Sequence, residues 1–272
     1  MSAVVIVMHG DRHSAHWLGK LFTNNFLLQI TCKNPNKLNV CVRYHNVVML
    51  LSARLFFDFL RDTLVVLSAH DLSVVKSDRL LFDKVNFSVE RGGLLYVKGP
   101  NGAGKTSLLR VLCGLLESEA GEVSFKQQNI LHQRSDFYHQ LVYFGHKAGL
   151  NLRLSAIENL TFWCQQHEQD VSVEQIYQTL AELQLVGLED VPVGHLSAGQ
   201  QRRVALARLW FKTSATLWIL DEPLTALDTH GISLLINKIA DFLQSGGAVV
   251  MTSHQDLELD YPKQELVLEY RI

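Results

Sequence analysis

The chain has 272 residues, of which 47% are hydrophobic and 19% charged, with a net charge of −2. The length suits one large or two small domains, and the apolar fraction supports a packed core. The charge balance lacks the basic footprint of a nucleic-acid binder. Cys32, Cys41, Cys113 and Cys164 form neither a C-x-x-C pair nor a C-x-x-C-H haem attachment element, which fits reduced thiols in a cytosolic protein. No apolar run reaches the roughly 18 residues of a membrane span. The nearest approach, from Val47 to Leu60, is broken by Arg54 and Asp58, and no secretory leader pattern opens the chain. If such a protein works at a membrane, it needs a partner to cross it.

Residues 1–63 show apolar patches without a sustained period of two or 3.6 and carry no motif with a mechanism. Three readings stay open for them. His9, His13 and His16 invite a metal site, but Gly10 opposes the continuous helix that would gather them and Asp11 would point away from that face, so solvated loop histidines are the favoured reading. Leu50 to Arg61 reads as a short amphipathic helix for a membrane or partner surface. The third reading is an artefact of the gene start, with translation beginning at Met49 or near Leu64. Residues 1–63 are therefore treated as an extension of unknown role, and 64–272 as the working domain.

From Leu64 the pattern becomes organised. "LVVLSAHDLSVV" and "KVNFSVERGG" read as strands, followed by the apolar run "LLYVKG". Next comes "GPNGAGKTSLL", matching G-x-x-x-x-G-K-[ST] between a strand and a helix, the context a phosphate-binding loop requires. Its glycines let backbone N–H groups converge on phosphate oxygens, and the helix start adds its positive dipole end. The expected nucleotide contacts are Gly99, Pro100, Asn101, Gly102, Ala103, Gly104, Lys105, Thr106 and Ser107. Lys105 supplies a cation to the β- and γ-phosphates, which gives it a catalytic part as well, and the Thr106 hydroxyl is a hard oxygen ligand for Mg²⁺.

After the loop helix, "GEVSF" reads as a further strand, and residues from about 133 to 195 read as a helical insertion carrying two amphipathic helices. Then "ATLWIL" and "AVVMTS" are apolar runs of the kind buried on both faces of a parallel sheet. The first ends in Asp221 and Glu222, which places two carboxylates where such sheets bind ligands. Asp221 is a candidate Mg²⁺ ligand, and Glu222 a candidate general base for an attacking water. No internal repeat is present, so the chain holds one nucleotide-binding unit.

"LSAGQQRRVALARL", from Leu196, together with the loop and the carboxylate strand, resembles the signature of ABC-type ATPases, with alanine at its third position. The resemblance implies an α/β P-loop fold: a mostly parallel core sheet, an antiparallel β subdomain and a helical subdomain. It also implies ATP and Mg²⁺ as ligands, and a head-to-tail dimer sandwiching two ATP molecules. Ser197, Gly199 and Gln200 would then contact nucleotide held by a second copy, with Asp228 of "LTALD" crossing the interface. His254 corresponds to the switch histidine that orients the water. His146 stands where the family has a glutamine, and imidazole is a poorer ligand than an amide oxygen for a hard cation. The aromatic residue expected to stack on adenine is missing near Val75 and Lys76, so base selectivity is expected to be loose.

"YHQLVYFGHKAGLNLRLSAIENLTFW", "EDVPVGHLSAGQQRRVALARLW" and the tail after "MTSHQDL" resemble one branch of that family, the ATP-binding subunits of bacterial cytochrome c maturation systems. This likeness covers Leu64 onward, not residues 1–63. It implies a peripheral protein on the cytoplasmic face of the inner membrane, bound to a CcmB-like integral subunit, with a CcmC-like subunit as a further candidate. Hydrolysis would drive release of a haem-loaded periplasmic chaperone, and the chain itself shows no haem site. The alternative is the ATPase subunit of another ABC transporter with a different cargo.

Overall fold

The computed structural model describes residues 64–253 and 261–270 in full, and within residues 1–63 the backbone of five strands. The chain divides into two compact units, Met1–Leu64 and Val65–Ile272.

The first unit is an antiparallel meander of β1 (Val7–His9), β2 (Trp17–Thr23), β3 (Phe26–Cys32), β4 (Asn39–Tyr44) and β5 (Val47–Ser52), paired in sequence order. Thr23 pairs with Phe26, and Tyr44 with Val47, so two residues separate each pair, the spacing of a tight hairpin. This corrects the helix expected from Leu50: Leu50 and Leu51 pair with Cys41 and Val40 as strand. Residues 53–61 of that stretch, and His13 and His16, lie outside the described residues.

The second unit begins with β6 (Val65–Lys76) and β7 (Arg79–Glu90), joined through Ser77 and Asp78 at φ 49° and 62°. Two consecutive left-handed residues are the mark of a hairpin turn matched to strand twist. β9 (Ala120–Phe125) and β10 (Gln128–Asn129) complete a four-stranded antiparallel sheet in the order β10-β9-β6-β7.

The second sheet runs β11 (Leu141–Phe144), β12 (Leu217–Asp221), β13 (Ala248–Thr252), β8 (Leu94–Lys98) and β14 (Lys263–Val267), all parallel. Every residue of β12 and β13 is buried, which is why both read as unbroken apolar runs. Helix α1 (Lys105–Leu112) covers one face, placing Leu108, Leu109 and Leu112 with Leu95, Val97, Ile219 and Val250. On the other face, Leu235, Ile239 and Leu243 of the helix Thr229–Gln244 pack with Tyr96, Trp218, Leu220 and Val249. Trp218 stacks on Phe242 with centroids 3.8 Å apart and rings 1° from parallel.

The region expected to be helical from residue 133 is mixed. Helix α2 (Arg134–Gln140) leads straight into β11, an edge strand of the parallel sheet, because the β-prone run Leu-Val-Tyr-Phe pairs with β12 in register Leu141 to Leu217. The insertion helices are α3 (Ala156–Gln166) and α4 (Val173–Glu182), the latter ending just before Gln184, which takes φ 56°. Then follow α5 (Ala198–Leu206), α6 (Arg208–Phe211) and α7 (Thr229–Gln244). Capping boxes at Ser155/Glu158, Ser172/Gln175 and Ser197/Gln200 fix the starts of α3, α4 and α5. A buried Lys212 ammonium donates to Tyr138 O at 2.8 Å and Leu141 O at 2.9 Å, tying α2 and β11 to the segment after α6.

Candidate active site

The loop between β8 and α1 turns on three glycines with positive φ: Gly99 at 148°, Gly102 at 79° and Gly104 at 100°. A Cβ on Gly99 would stand 2.4 Å from Leu268 O, so backbone crowding as well as dihedral freedom excludes a side chain there. Helix α1 starts without a side-chain cap or an acidic residue in its first turn, leaving its N–H groups and dipole to face an anion. Lys105 is buried and its Nζ donates to Gly99 O at 2.6 Å and Pro100 O at 3.2 Å. A cavity of about 460 Å³ is lined by Pro100, Asn101, Gly102, Gly104, Lys105, Thr106 and Ser107, with Lys76, Ser77, Arg79 and Leu81 from the β6–β7 hairpin and Glu222 opposite.

Asp221 closes β12 and is 1% exposed. Its Oδ1 accepts from Thr252 Oγ1 at 2.9 Å, while Oδ2 is buried without a hydrogen-bond partner among the described residues. An orphaned buried carboxylate oxygen is costly unless a cation or its water completes it. Asp221 does not itself line the cavity, but this oxygen and the Thr106 hydroxyl on the cavity wall are both hard donors of the kind that suits Mg²⁺, which takes one or two protein oxygens and fills its remaining positions with phosphate and water. Glu222 follows at φ 49°, and its N–H donates to Thr252 Oγ1 at 2.9 Å.

The signature segment stands apart from this cavity. Ser197 caps α5, its Oγ accepting from Gln200 N at 3.3 Å while Gln200 Oε1 accepts from Ser197 N at 2.8 Å. A Cβ on Gly199 would stand 2.7 Å from Ala226 O, so the first turn of α5 lies against the segment that follows Glu222. Asp228 caps α7 through Gly231 N at 2.8 Å, and that hydrogen bond holds its carboxyl below the usual range. Ser197, Gly199, Gln200, Asp228 and His146 do not line the cavity of the phosphate loop. His254 lies outside the described residues.

Two contributors escaped the sequence reading. Thr252 ends an apolar strand and is the register partner of Asp221, a pairing visible only once the strands are aligned. Arg202 is buried, and its Nη1 donates to His146 O at 3.1 Å and Gly145 O at 3.4 Å. Nη2 of the same side chain donates to Asp221 O at 3.2 Å and Glu222 O at 2.6 Å. Burial lowers its pKa to about 10, partly offset by Asp221 and Glu222. The signal was present: Arg202 shares a helix face with Ala205 and Leu206, both buried.

The ABC transporter family model matches residues 82–225, which contain the phosphate loop, the signature and the two carboxylates. The cytochrome c biogenesis ATP-binding export protein CcmA of Vibrio cholerae is 44% identical over 198 residues, 73% of this chain and 95% of that protein. The chain belongs to the ABC transporter family, in the group of CcmA proteins. CcmA of Idiomarina loihiensis is 49% identical over 76% of this chain and 94% of its own length. Among solved structures, the ATP-binding subunit of an ABC transporter superposes with a TM-score of 0.66 at 22% identity, covering 76% of this chain and 88% of that one. An ABC transporter ATP-binding protein from Pyrococcus furiosus gives 0.64 at 25% identity, covering 74% and 96%. Like other ABC ATPases, the chain binds nucleotide and hydrolyses ATP, and its parallel sheet, antiparallel sheet and inserted helices are the family fold.

Proposed function

We propose that the chain is the ATP-hydrolysing, energy-coupling subunit of a membrane ABC complex for c-type cytochrome biogenesis. One cavity bringing the phosphate loop and Glu222 together supports the chemistry, and the likeness to CcmA proteins over nearly their whole length supports the pathway. Among the described residues, no helix is long and apolar enough to cross a membrane, so the reading pairs the chain with a separate CcmB-like integral subunit at the cytoplasmic face of the inner membrane.

In this reading, backbone N–H groups of residues 99–107 and the start of α1 hold the ATP phosphates, and the Lys105 ammonium turns from its loop carbonyls to the β- and γ-oxygens. Thr106 and Asp221 would hold Mg²⁺, which would supply neutralisation of phosphate charge. Glu222 accepts a proton from the attacking water and His254 orients that water. The signature lies away from its own cavity, so a second copy completes the site: Ser197, Gly199 and Gln200 of one molecule face the nucleotide of the other, with Asp228 at the interface. Reopening after hydrolysis moves the segment around His146 and relaxes the membrane partner.

Complementation of a strain lacking the cytochrome c maturation ATPase tests this reading, scored by covalent haem in c-type cytochromes. Restored haem staining that disappears with Glu222→Gln supports it. No restoration by an expressed, membrane-associated full chain transfers the protein to a transporter with another cargo. A version beginning at Leu64 tests in parallel whether residues 1–63 are needed.

A further inference from the structure

The geometry points to Arg202 as a positioning residue that links the orientation of Glu222 to the His146 segment, an inference that rests on the ATPase reading above. Its guanidinium is a rigid planar fork whose two ends grip different parts of the site. One end holds the carbonyls of Gly145 and His146 at 3.4 and 3.1 Å, and the other those of Asp221 and Glu222 at 3.2 and 2.6 Å. The plane rests on Phe144, with Cζ 4.2 Å from the ring centroid. The residue is 7% exposed, and its Nε is buried without a partner among the described residues, so the placement is set by the four carbonyls at the expense of one donor.

The residue it grips most closely, Glu222, holds a positive φ of 49°, a strained conformation for a non-glycine residue that persists only where neighbours impose it. Among the described residues three neighbours hold it: Thr252 Oγ1 accepts the Glu222 N–H at 2.9 Å, while Arg202 and, more distantly, the Thr225 N–H donate to the carbonyl at 2.6 and 3.2 Å. The His146 segment is held a second time by Arg208, whose Nη1 and Nη2 donate to Ala148 O at 3.0 Å and Gly149 O at 2.7 Å. Arg208 grips no part of the Asp221–Glu222 end of β12. Arg202 alone of the two joins that segment to the carboxylate turn, so a displacement of residues 145–146 is passed through one rigid group to the backbone that aims Glu222. Lysine cannot reproduce this, because a single ammonium lacks the planar spacing needed to serve both pairs of carbonyls.

The experiment measures Mg-ATP hydrolysis by the full chain, purified and in membranes with its integral partner, for the parent, Arg202→Lys, Arg202→Gln and Arg208→Lys. The neutral glutamine guards against misfolding from an unpaired buried charge. Expected for both Arg202 variants is a kcat lower by about tenfold to a hundredfold, with KM and the affinity for a fluorescent ATP analogue within about threefold of the parent. Arg208→Lys is expected to keep kcat within about threefold. The inference is overturned if both Arg202 variants keep the parent kcat, if they lose nucleotide affinity and thermal stability in step with kcat, or if Arg208→Lys is equally slow. A parent chain without hydrolysis in either setting removes the ATPase reading and this inference together, an outcome distinct from an active parent with active variants.

Discussion

Thr252 and Asp221 are register partners at the ends of neighbouring parallel strands, and the Thr252 hydroxyl donates to Asp221 Oδ1 at 2.9 Å in a fully buried setting. Thr252 Oγ1 in turn accepts the Glu222 N–H at 2.9 Å, so one hydroxyl fixes both carboxylate residues.

Thr252→Val keeps the shape and deletes the hydroxyl, leaving a buried carboxylate oxygen and an N–H without their partner. The expected loss of stability is about 2 kcal/mol or more, with Thr252→Ser close to the parent. Urea denaturation followed by fluorescence reads the difference, and an unchanged midpoint for the valine variant would show that other groups hold Asp221.

Glu222→Gln removes the proton acceptor and leaves the phosphate loop untouched. Hydrolysis is expected to fall by about a hundredfold or more while ATP still binds, and a closed dimer is expected to accumulate in ATP, visible by size-exclusion chromatography. Lys105→Ala acts one step earlier, lowering nucleotide affinity itself by about tenfold to a hundredfold. Normal turnover in the first variant, or normal affinity in the second, would reverse these assignments.

Ser197→Ala and Gly199→Ala separate two roles within the signature. Loss of the Ser197 cap is expected to cost about 1 kcal/mol of stability. A methyl on Gly199 meets Ala226 O at 2.7 Å and forces the turn after Glu222 to shift, at a cost of about 1–3 kcal/mol and with slower hydrolysis. Wild-type turnover in Gly199→Ala would show that this turn moves freely.

The buried Cys164 thiol has its pKa raised to about 11 by burial. Folded and unfolded states are equally protonated below the unfolded value of about 8.5, so stability there is independent of this group. Above it the unfolded chain ionises first, and stability falls as pH rises towards 11. Cys164→Ala is expected to flatten this part of the alkaline limb in urea melts between pH 8 and 11, and an unaltered slope would assign the limb to other groups.

The phosphate loop, the carboxylate strand and the signature were legible as segments because each is a pattern of local spacing within the stretch the family model matches. The core strands were legible for a related reason: burial on both faces leaves an unbroken apolar run, as in Leu217 to Leu220. The meander of the first unit was not, since its pairing rests on hairpin spacing without strict alternation. Nor was β11, four residues long and preceded directly by helix, whose strand character comes from pairing with β12 far along the chain. Lys212 looks like an ordinary surface cation in sequence, and although the helix face of Arg202 hints at burial, the partners of both depend on which distant carbonyls the fold brings to them.

Those two cations also occupy backbone acceptors along one margin of the parallel sheet. Leu141–Phe144 stands at a sheet margin, where unpaired backbone groups can template a foreign strand, and its length of four residues already limits that edge. Gln140 O faces β12 by accepting from Thr216 N, so the alternating carbonyls of Leu141, Tyr143 and Gly145 turn to the open side. Lys212 occupies the first at 2.9 Å and Arg202 reaches the last at 3.4 Å, which leaves the length between them too short to recruit another chain. Replacing Lys212 with methionine therefore uncovers one docking point for misassembly during overexpression, a liability that activity assays on the soluble fraction would overlook.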